Sequence, residues 1–186
     1  MTRVLLVCTG NVCRSPAAEM LLRASLAVSA SDVVVSSAGT AALEGEPVDP
    51  RMAAMIRASG GEPAPFSARQ LRLEQVRGAE LVLVMTRQHR SAVVRLEPAA
   101  VRRTLLLVEA AALATAVRSS GWPAGVPANP ASRLAALPRL AAAHRSSMAL
   151  PGDAEVVDPY RREPALYSCA MRQIEAAVAS LVEAVR

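Results

Sequence analysis

The sequence predicts an α/β fold, a three-layer sandwich in which a four-stranded parallel sheet carries helices on both faces. Short apolar runs alternate along the chain with segments of helical pattern, which is the order of βαβ units. The apolar runs show little polar–apolar alternation, as expected for strands buried on both faces. With 186 residues, 52% of them hydrophobic, the chain can bury a substantial core. We therefore predict a single domain over residues 1–186.

The chain begins with a predicted strand, a tight turn and a helix. The strand is the apolar run 4–7, and the helix is predicted over 17–28. Ser15 suits the N-cap of this helix and Pro16 suits its first position. The turn between strand and helix is therefore short and lies at the carboxyl end of the first strand.

The remaining elements continue this alternation. Asp49 and Pro50 suit the cap and first position of a helix that Gly60 and Gly61 end. In the last helix apolar residues recur every three to five positions, which predicts a core-facing stripe that includes a buried Cys169. The predicted strands are 32–37, 81–85 and 103–108, and the predicted helices are 51–58, 69–77, 88–96, 109–118 and 164–184.

The least regular pattern lies between the fourth strand and the last helix. Residues 119–130 contain three prolines and two glycines, which indicates a loop. Residues 133–144 are rich in Ala and Leu but contain Pro138, which interrupts a helix. We predict one or two helices flanking the loop, with Trp122 packing the loop against the domain.

The charge and aromatic content argue against a nucleic-acid partner. The net charge is +5 and all 21 basic residues are arginine, but they are scattered, and only 2% of residues are aromatic. Base stacking needs aromatic side chains, and a phosphate-binding surface needs clustered charge. The arginines are better explained as surface charge that mildly favours anionic substrates.

Other classes of protein are disfavoured in the same way. The sequence contains no apolar stretch of the ~18 residues that a membrane span requires and no charged leader with a cleavage site. Three cysteines, an odd number, argue against a disulfide framework. His89 and His144 are far apart and in no ligand spacing, so we predict no metal and no cofactor. These features predict a cytoplasmic protein, and the sequence carries no signal of an oligomeric state.

The most informative stretch is residues 8–16, CTGNVCRSP, between the first strand and the first helix. Backbone N–H groups at a helix start are unpaired, and the helix dipole adds partial positive charge there. Such a turn binds an anion of phosphate size. Gly10 allows backbone angles that residues with a Cβ resist.

Two side chains would make this anion site reactive. Cys8 ends the strand, and a helix N-terminus and a nearby cation both favour the thiolate, which is the nucleophilic form. Arg14 supplies the cation, and its planar fork matches two phosphoryl oxygens. Five residues separate the two, so the loop can wrap one phosphate. The Walker pattern of nucleotide-binding loops is absent, and the chain has no lysine.

The stretch CTGNVCRSP resembles the phosphate loop of the bacterial low-molecular-weight protein tyrosine phosphatases, C-x5-R-S. The resemblance covers residues 3–107 and 155–185 and implies the flavodoxin-like fold of that family. It also implies hydrolysis of protein phosphotyrosine through a phosphocysteine intermediate, with phosphotyrosine-containing proteins as partners. Residues 109–150 are longer than the usual connection in the family, so we predict an insertion there.

The resemblance assigns roles to further residues. The general acid of the family lies in a D-P-[YF] loop before the last helix, which Asp158 matches. From the residues alone Asp49 is the other candidate, although it already serves as a helix start. Tyr160 resembles an aromatic wall of the substrate cleft. The predicted catalytic residues are Cys8, Arg14 and Asp158, and the predicted phosphate- and substrate-binding residues are Thr9, Gly10, Asn11, Val12, Cys13, Ser15 and Tyr160.

Within the loop the resemblance gives each polar side chain a task. Ser15 resembles the serine whose hydroxyl hydrogen-bonds the thiolate, and Asn11 resembles the asparagine that holds the loop conformation. Cys13 is a candidate for trapping oxidised Cys8 as a disulfide, and a buried packing role is the open alternative. The loop 40–44, where many relatives carry an aromatic wall, has no aromatic residue.

Three other functions remain as alternatives. Relatives that act on phosphoarginine carry threonine at the position of Val12, so Val12 favours phosphotyrosine over phosphoarginine. Arsenate reductases on this fold add a cysteine pair near the third strand, whereas this chain has no cysteine between Cys13 and Cys169. A non-catalytic phosphoprotein-binding module would need neither the nucleophile Cys8 nor the acid Asp158.

Overall fold

The computed structural model describes residues 1–27, 30, 32–144 and 154–186, without the side chains of residues 142 and 144. Four parallel strands form one sheet in the order β2-β1-β3-β4. The strands are β1 Thr2–Cys8, β2 Val33–Gly39, β3 Leu81–Val84 and β4 Thr104–Leu106.

Seven helices and one 3₁₀ helix connect and cover these strands in the described ranges. The 3₁₀ helix, Pro98–Arg102, precedes β4. The helices are α1 Arg14–Leu26, α2 Pro50–Ala58, α3 Leu73–Gly78, α4 Arg87–Leu96, α5 Leu107–Ser120, α6 Pro130–His144 and α7 Pro164–Val185.

Alternate residues of the strands enter two separate cores, because successive side chains of a strand point to opposite faces. Val4 and Leu6 of β1 pack with residues of α1, α5, α6 and α7. Leu5 and Val7 pack on the other face with residues of α3 and α4. Both faces of the sheet are therefore buried, and the predicted three-layer α/β architecture is confirmed.

The fourth strand is shorter than predicted. The apolar pattern predicted a strand over 103–108, but β4 ends at Leu106 and α5 begins at Leu107. The Glu109 carboxylate accepts a hydrogen bond from the Leu106 backbone N–H at 3.1 Å. Because this contact satisfies an otherwise unpaired donor at a helix start, it favours early initiation of α5.

Helix α6 continues through Pro138, so the predicted interruption at that residue is wrong. Packing against α5, α7 and β1 stabilises the helix, and such tertiary contacts outweigh the loss of one backbone hydrogen bond. The Trp122 indole N–H donates to the Ala184 carbonyl at 3.2 Å, and the Arg133 guanidinium stacks on its ring. Trp122 thus anchors the loop 121–129 to α7, as predicted. Residues 145–150 of the predicted insertion lie outside the described residues.

The apolar stripe of α7 faces the core over most of its length. Ile174, Val178, Leu181 and Val185 are buried, as expected. Cys169 is only half-buried, so its predicted burial is wrong. Among the described residues, no helix combines the length and the apolar character needed to cross a membrane.

The strand order determines where a ligand can bind. From β1 the chain continues outward to β2 on one side, whereas β3 and β4 lie on the other side. Ligands of open α/β sheets bind at the carboxyl ends of the strands where the order reverses. Cys8 is the last residue of β1 and lies at this position.

Asp49 links α2 to α7 through its two carboxylate oxygens. One carboxylate oxygen accepts from the backbone N–H groups of Arg51 and Met52, at 3.0 and 3.2 Å, which caps α2 as predicted. The other oxygen accepts from the Tyr167 hydroxyl at 3.1 Å. Burial and this contact raise the pKa of Tyr167 to about 12, so its hydroxyl stays a donor.

Asp49→Ala is expected to lower the free energy of unfolding by about 1–2 kcal/mol, because it removes a helix cap and the acceptor of a buried hydroxyl. Urea unfolding followed by circular dichroism measures this change. Asp49→Asn is the matched control, since asparagine caps helices as well as aspartate does. An equal loss of stability in both variants would show that capping is not the source.

Candidate active site

The loop between β1 and α1 forms the bottom of a small cleft. Helix α1 begins at Arg14 with Cys13 at the N-cap position, and no side chain caps its first turn. The prediction that Ser15 is the N-cap is therefore wrong, because the helix starts two residues earlier. Amides at the start of α1 remain available for an anion.

The carbonyl groups of the loop point away from the cleft. The backbone N–H groups of four residues between 40 and 49 donate to the carbonyls of Cys8, Thr9, Gly10 and Val12, at 2.8–3.0 Å. In a planar trans peptide the carbonyl and the following N–H point in opposite directions. The N–H groups that follow these carbonyls therefore face inward and form a concave anion site.

Cys8 lies at the bottom of this concave surface. Its side chain is 2% exposed, and its sulfur is 3.0 Å from the Ser15 hydroxyl oxygen. The position of Ser15 inside the first turn of α1, rather than at the cap, directs this hydroxyl towards the sulfur.

A chain of hydrogen bonds determines which atom donates at this contact. The Asn11 side-chain amide donates to the Ser15 and Ser37 hydroxyls, at 2.9 and 2.8 Å. Ser37 in turn donates to the carboxylate of Glu19 at 2.5 Å. A carboxylate only accepts, and an amide nitrogen only donates. Ser15 therefore accepts from Asn11 and has its own proton available for the Cys8 sulfur, which favours the thiolate.

Contacts at the other end of this chain of hydrogen bonds pair Glu19 with cations and hold Asn11 in position. Glu19 is 2% exposed, and it forms ion pairs with Arg23 and Arg69. Asn11 adopts a left-handed backbone with φ of 56°, and its carbonyl oxygen accepts from the Arg69 backbone N–H at 2.8 Å. Asparagine is among the few residues that tolerate this conformation.

Arg14 and Asp158 form an ion pair beside the loop. Arg14 is 4% exposed, and its Nη2 is 2.9 Å from the Asp158 carboxylate, whose side chain is 53% exposed. The Arg14 Nε is buried and has no hydrogen-bond partner in the described ranges. A buried donor without a partner is costly in a folded protein, and Arg14 is one of the residues that line the cleft.

The cleft itself is a cavity of about 210 Å³. Tyr160, Leu43 and Ala41 all contribute to its walls. Leu43 thus occupies the side on which the sequence lacks an aromatic residue. The lining residues are Cys8, Thr9, Gly10, Val12, Cys13, Arg14, Ala41, Leu43, Asp158 and Tyr160.

Comparison with known proteins agrees with this geometry. The model of the family "Low molecular weight phosphotyrosine protein phosphatase" matches residues 3–119 of the chain. The chain belongs to this family. The match ends before Asp158, so the predicted general-acid loop lies outside the matched range.

The alignments to individual relatives span different shares of this chain. The Probable low molecular weight protein-tyrosine-phosphatase AmsI of Erwinia amylovora is 34% identical over 103 residues, which are 55% of this chain and 69% of AmsI. EpsP of Ralstonia nicotianae, with the same family name, is 44% identical over 82 residues, 44% of this chain and 54% of EpsP. The alignment to EpsP therefore spans about half of that relative.

Solved structures extend the likeness to nearly the whole chain. The crystal structure of AmsI superposes with a TM-score of 0.71 at 23% identity, covering 98% of this chain and 92% of AmsI. The arginine phosphatase YwlE of Geobacillus stearothermophilus superposes with a TM-score of 0.69 at 26% identity, with the same coverage of 98% and 92%. These similarities show the fold of the phosphatase, including the helices that follow residue 119.

The second cysteine of the phosphatase loop lies in a different environment from Cys8. Cys13 is 3% exposed and lines the cleft. Burial, and secondarily the charge of Asp49, raises the pKa of the Cys13 thiol far above its ordinary value. Cys13 is therefore a neutral thiol at physiological pH. A neutral thiol reacts slowly with oxidised sulfur. The role of Cys13 as a resolving cysteine stays a prediction.

His89 is a buried residue of this site that the sequence did not indicate. Its Nε2 lies 2.9 Å from the Thr9 hydroxyl and its Nδ1 lies 2.9 Å from the Thr86 hydroxyl. Burial, and secondarily the Arg14 charge, lowers the pKa of His89 to about 4. A neutral imidazole has one donor and one acceptor nitrogen, so the two hydroxyls satisfy both. His89 therefore holds Thr9, the first residue after the nucleophile.

The structure brings all ten predicted site residues together: eight line the cleft, Ser15 lies against the Cys8 sulfur, and Asn11 donates a hydrogen bond to Ser15. It also adds Ser37, Glu19 and His89, which the sequence analysis missed. Glu19 gave a usable signal, because it is an isolated acidic residue in an apolar helix. Ser37 and His89 gave none, since their contacts depend on the pairing of β2 with β1 and on the position of α4.

Substitution of His89 by Gln is expected to change how stability depends on pH. Between pH 4 and 6.5 the unfolded chain binds a proton on His89 that the folded chain does not bind, so stability rises with pH across this window. This contribution, of about 1–3 kcal/mol, is complete above pH 6.5 and is lost as the pH falls towards 4.

Urea unfolding of both proteins at pH 7, 6, 5 and 4.5 measures this effect. The free energy of unfolding of wild type should fall more steeply on acidification than that of His89→Gln. Parallel curves would mean that His89 is not held neutral by the fold.

Proposed function

We propose that the chain hydrolyses phosphotyrosine in proteins, with Cys8 as the nucleophile. The observation that carries the proposal is the Cys8 sulfur, which faces a hydroxyl donor and lies beneath a ring of inward-facing amides and a buried guanidinium. Such a site binds a phosphate and presents a thiolate to the phosphorus. Membership of the phosphatase family supports the same chemistry.

The reaction proceeds in two steps on this geometry. In the first, the Cys8 thiolate attacks phosphorus, an S–P bond forms and the P–O bond to tyrosine breaks. Arg14 and the loop amides stabilise the phosphoryl oxygens as charge redistributes. Asp158, in its acid form, gives its proton to the departing tyrosine oxygen.

In the second step water replaces the protein thiolate. Asp158 is now a carboxylate and takes a proton from water as the water oxygen attacks phosphorus. The S–P bond breaks, inorganic phosphate is released and Cys8 returns as a thiolate. The hydroxyl of Ser15 stabilises that thiolate as a leaving group through the hydrogen bond it donates.

The depth and walls of the cleft favour tyrosine among phosphorylated residues. The nucleophile is 2% exposed at the bottom of the cavity, so a long side chain is needed to place phosphorus beside it. Tyr160 and Leu43 would contact the two faces of a phenyl ring. Val12 contributes only methyl groups to this lining, which suits a phenyl ring better than a polar guanidino group.

A phosphoarginine substrate is the second candidate, because the likeness to the arginine phosphatase YwlE extends over 98% of this chain. Peptides that carry phosphotyrosine, phosphoarginine or phosphoserine distinguish the candidates by phosphate release. We expect the highest kcat/KM for phosphotyrosine.

A cytoplasmic location suits the proposal, since Cys8, Cys13 and Cys169 are free and a reactive thiol persists in a reducing compartment.

Cys8→Ser is expected to abolish turnover and to retain phosphate or vanadate binding, because the amides and Arg14 form the anion site without the sulfur. Steady-state phosphate release and isothermal titration with vanadate measure the two properties. Cys169→Ser is the matched control, since Cys169 lies on α7 outside the cleft lining. Measurable turnover by Cys8→Ser would disprove the assigned nucleophile.

Asp158→Ala is expected to lower kcat for a phosphotyrosine peptide by ~10²–10⁴-fold. The loss should be smaller for an aryl phosphate whose phenol has a low pKa, because that leaving group needs no proton. Asp49→Ala serves as the control for the other Asp-Pro pair and should retain most of kcat. A reversed result, with Asp49→Ala inactive and Asp158→Ala active, would reverse the assignment of the two aspartates.

A further inference from the structure

Three exposed arginines surround the loop that carries Asp158 and Tyr160. The Arg161 guanidinium carbon lies 5.1 Å from the centre of the Tyr160 ring, and Tyr160 lines the cleft above Cys8. Arg161 therefore lies at the edge of the cleft. Arg162 follows it, and the Arg51 side chain reaches the same turn through a 3.4 Å hydrogen bond to the Arg162 carbonyl.

The backbone directs the side chain of Arg161 onto Tyr160. Arg161 has a left-handed conformation with φ of 57°, which is uncommon for a residue with a long side chain. The Arg162 backbone N–H donates to the Pro159 carbonyl at 3.0 Å, which closes the turn. Because the turn and the ring contact already order Arg161, binding would cost little conformational entropy.

No carboxylate balances the charges of these three arginines in the described part of the chain. Arg51, Arg161 and Arg162 form no ion pair with any residue in the described part of the chain. Of the nearby acids, Asp158 pairs with Arg14, and Asp49 caps α2 and binds Tyr167. Glu163, which directly follows Arg162, is exposed to solvent.

A second segment that lines the cleft carries acidic residues instead. Leu43 contributes to the lining, and exposed Glu44 and Glu46 follow it. Glu44 pairs with Arg72 at 3.7 Å, whereas Glu46 forms no ion pair with any residue that the structure describes. A substrate that crosses the cleft therefore meets positive charge beyond Tyr160 and net negative charge beyond Leu43.

We propose that Arg161, Arg162 and Arg51, the basic rim of the cleft, bind acidic residues that flank phosphotyrosine on one side in the protein substrate. The inference rests on the proposed function and adds a substrate class to it. The rim charges are exposed, so they act by complementarity and attraction at the surface and contribute a modest factor per contact. They would also attract the negatively charged phosphopeptide as a whole.

The test uses phosphotyrosine peptides of one length with three glutamates before the phosphotyrosine, three after it, glutamines at all these positions, or lysines. We expect one of the two acidic peptides to exceed the glutamine peptide in kcat/KM by about two- to fivefold per contacted glutamate. The lysine peptide should be the poorest substrate. Because the Debye length falls from about 10 Å at 0.1 M salt to about 3 Å at 1 M, the preference should shrink at high salt.

Variants assign the preference to the rim. Arg161→Asn combined with Arg162→Gln removes two charges, and asparagine tolerates the left-handed backbone at position 161. We expect the ratio of kcat/KM between the acidic and glutamine peptides to fall towards one. Arg161→Asp is expected to reverse the preference. Arg3→Gln is the matched control, since Arg3 lies at the other end of β1, about 16 Å along the strand from Cys8, and its ratio should equal that of wild type.

The outcomes separate this inference from the proposed function. If wild type hydrolysed neither the glutamine peptide nor p-nitrophenyl phosphate, the result would contradict the proposed function. Hydrolysis of both, with equal kcat/KM for the acidic and glutamine peptides, would overturn the rim assignment and leave the function standing. A preference that falls equally in Arg3→Gln and in the rim variant would also overturn it, because it would then reflect net charge alone.

Discussion

The buried carboxylate of Glu19 is the constraint on which the arrangement of the active site depends. A carboxylate accepts hydrogen bonds and donates none, so Ser37 must donate to it and must accept from Asn11. Asn11 then donates its second proton to Ser15, which leaves the Ser15 proton for Cys8. The direction of the last contact, which determines whether sulfur is stabilised as a thiolate, is thus fixed at the far end of the chain of hydrogen bonds.

This chain of hydrogen bonds can form only because of the sheet. Parallel pairing sets Ser37 of β2 beside Leu6 of β1 and Gly39 beside Cys8, so the end of β2 is level with the start of the phosphate loop. A Cβ at Gly39 would lie 2.4 Å from the Thr9 carbonyl oxygen, which no side chain could avoid. Backbone N–H groups of the segment after β2 then donate to the loop carbonyls, so the loop amides face inward. A one-residue shift in the pairing would direct Ser37 to the opposite face.

Charge is distributed over the cleft according to function. Arg14 provides a permanent cation at the bottom. His89, close to that cation, is kept neutral by burial and by the Arg14 charge itself, so it positions Thr9 without competing for the anion. Exposed arginines remain at the rim, where water lowers the energy of each contact but leaves long-range attraction. Positive charge at the bottom binds the phosphate, whereas charge at the rim can distinguish one substrate from another.

The layered α/β architecture, the position of the phosphate loop and the residues Cys8, Arg14 and Asp49 could be predicted from local patterns in the sequence, whereas Asp158 was preferred to Asp49 as the general acid because of the family resemblance. Apolar runs, a cap signal and the spacing within CTGNVCRSP act over a few residues. Contacts between distant segments gave no such signal. The start of α1 at Arg14, the continuity of α6 through Pro138, and the roles of Ser37 and His89 depend on strand register and helix packing. These features emerge from the folded arrangement, since the energy of a buried polar contact depends on partners that the fold brings together.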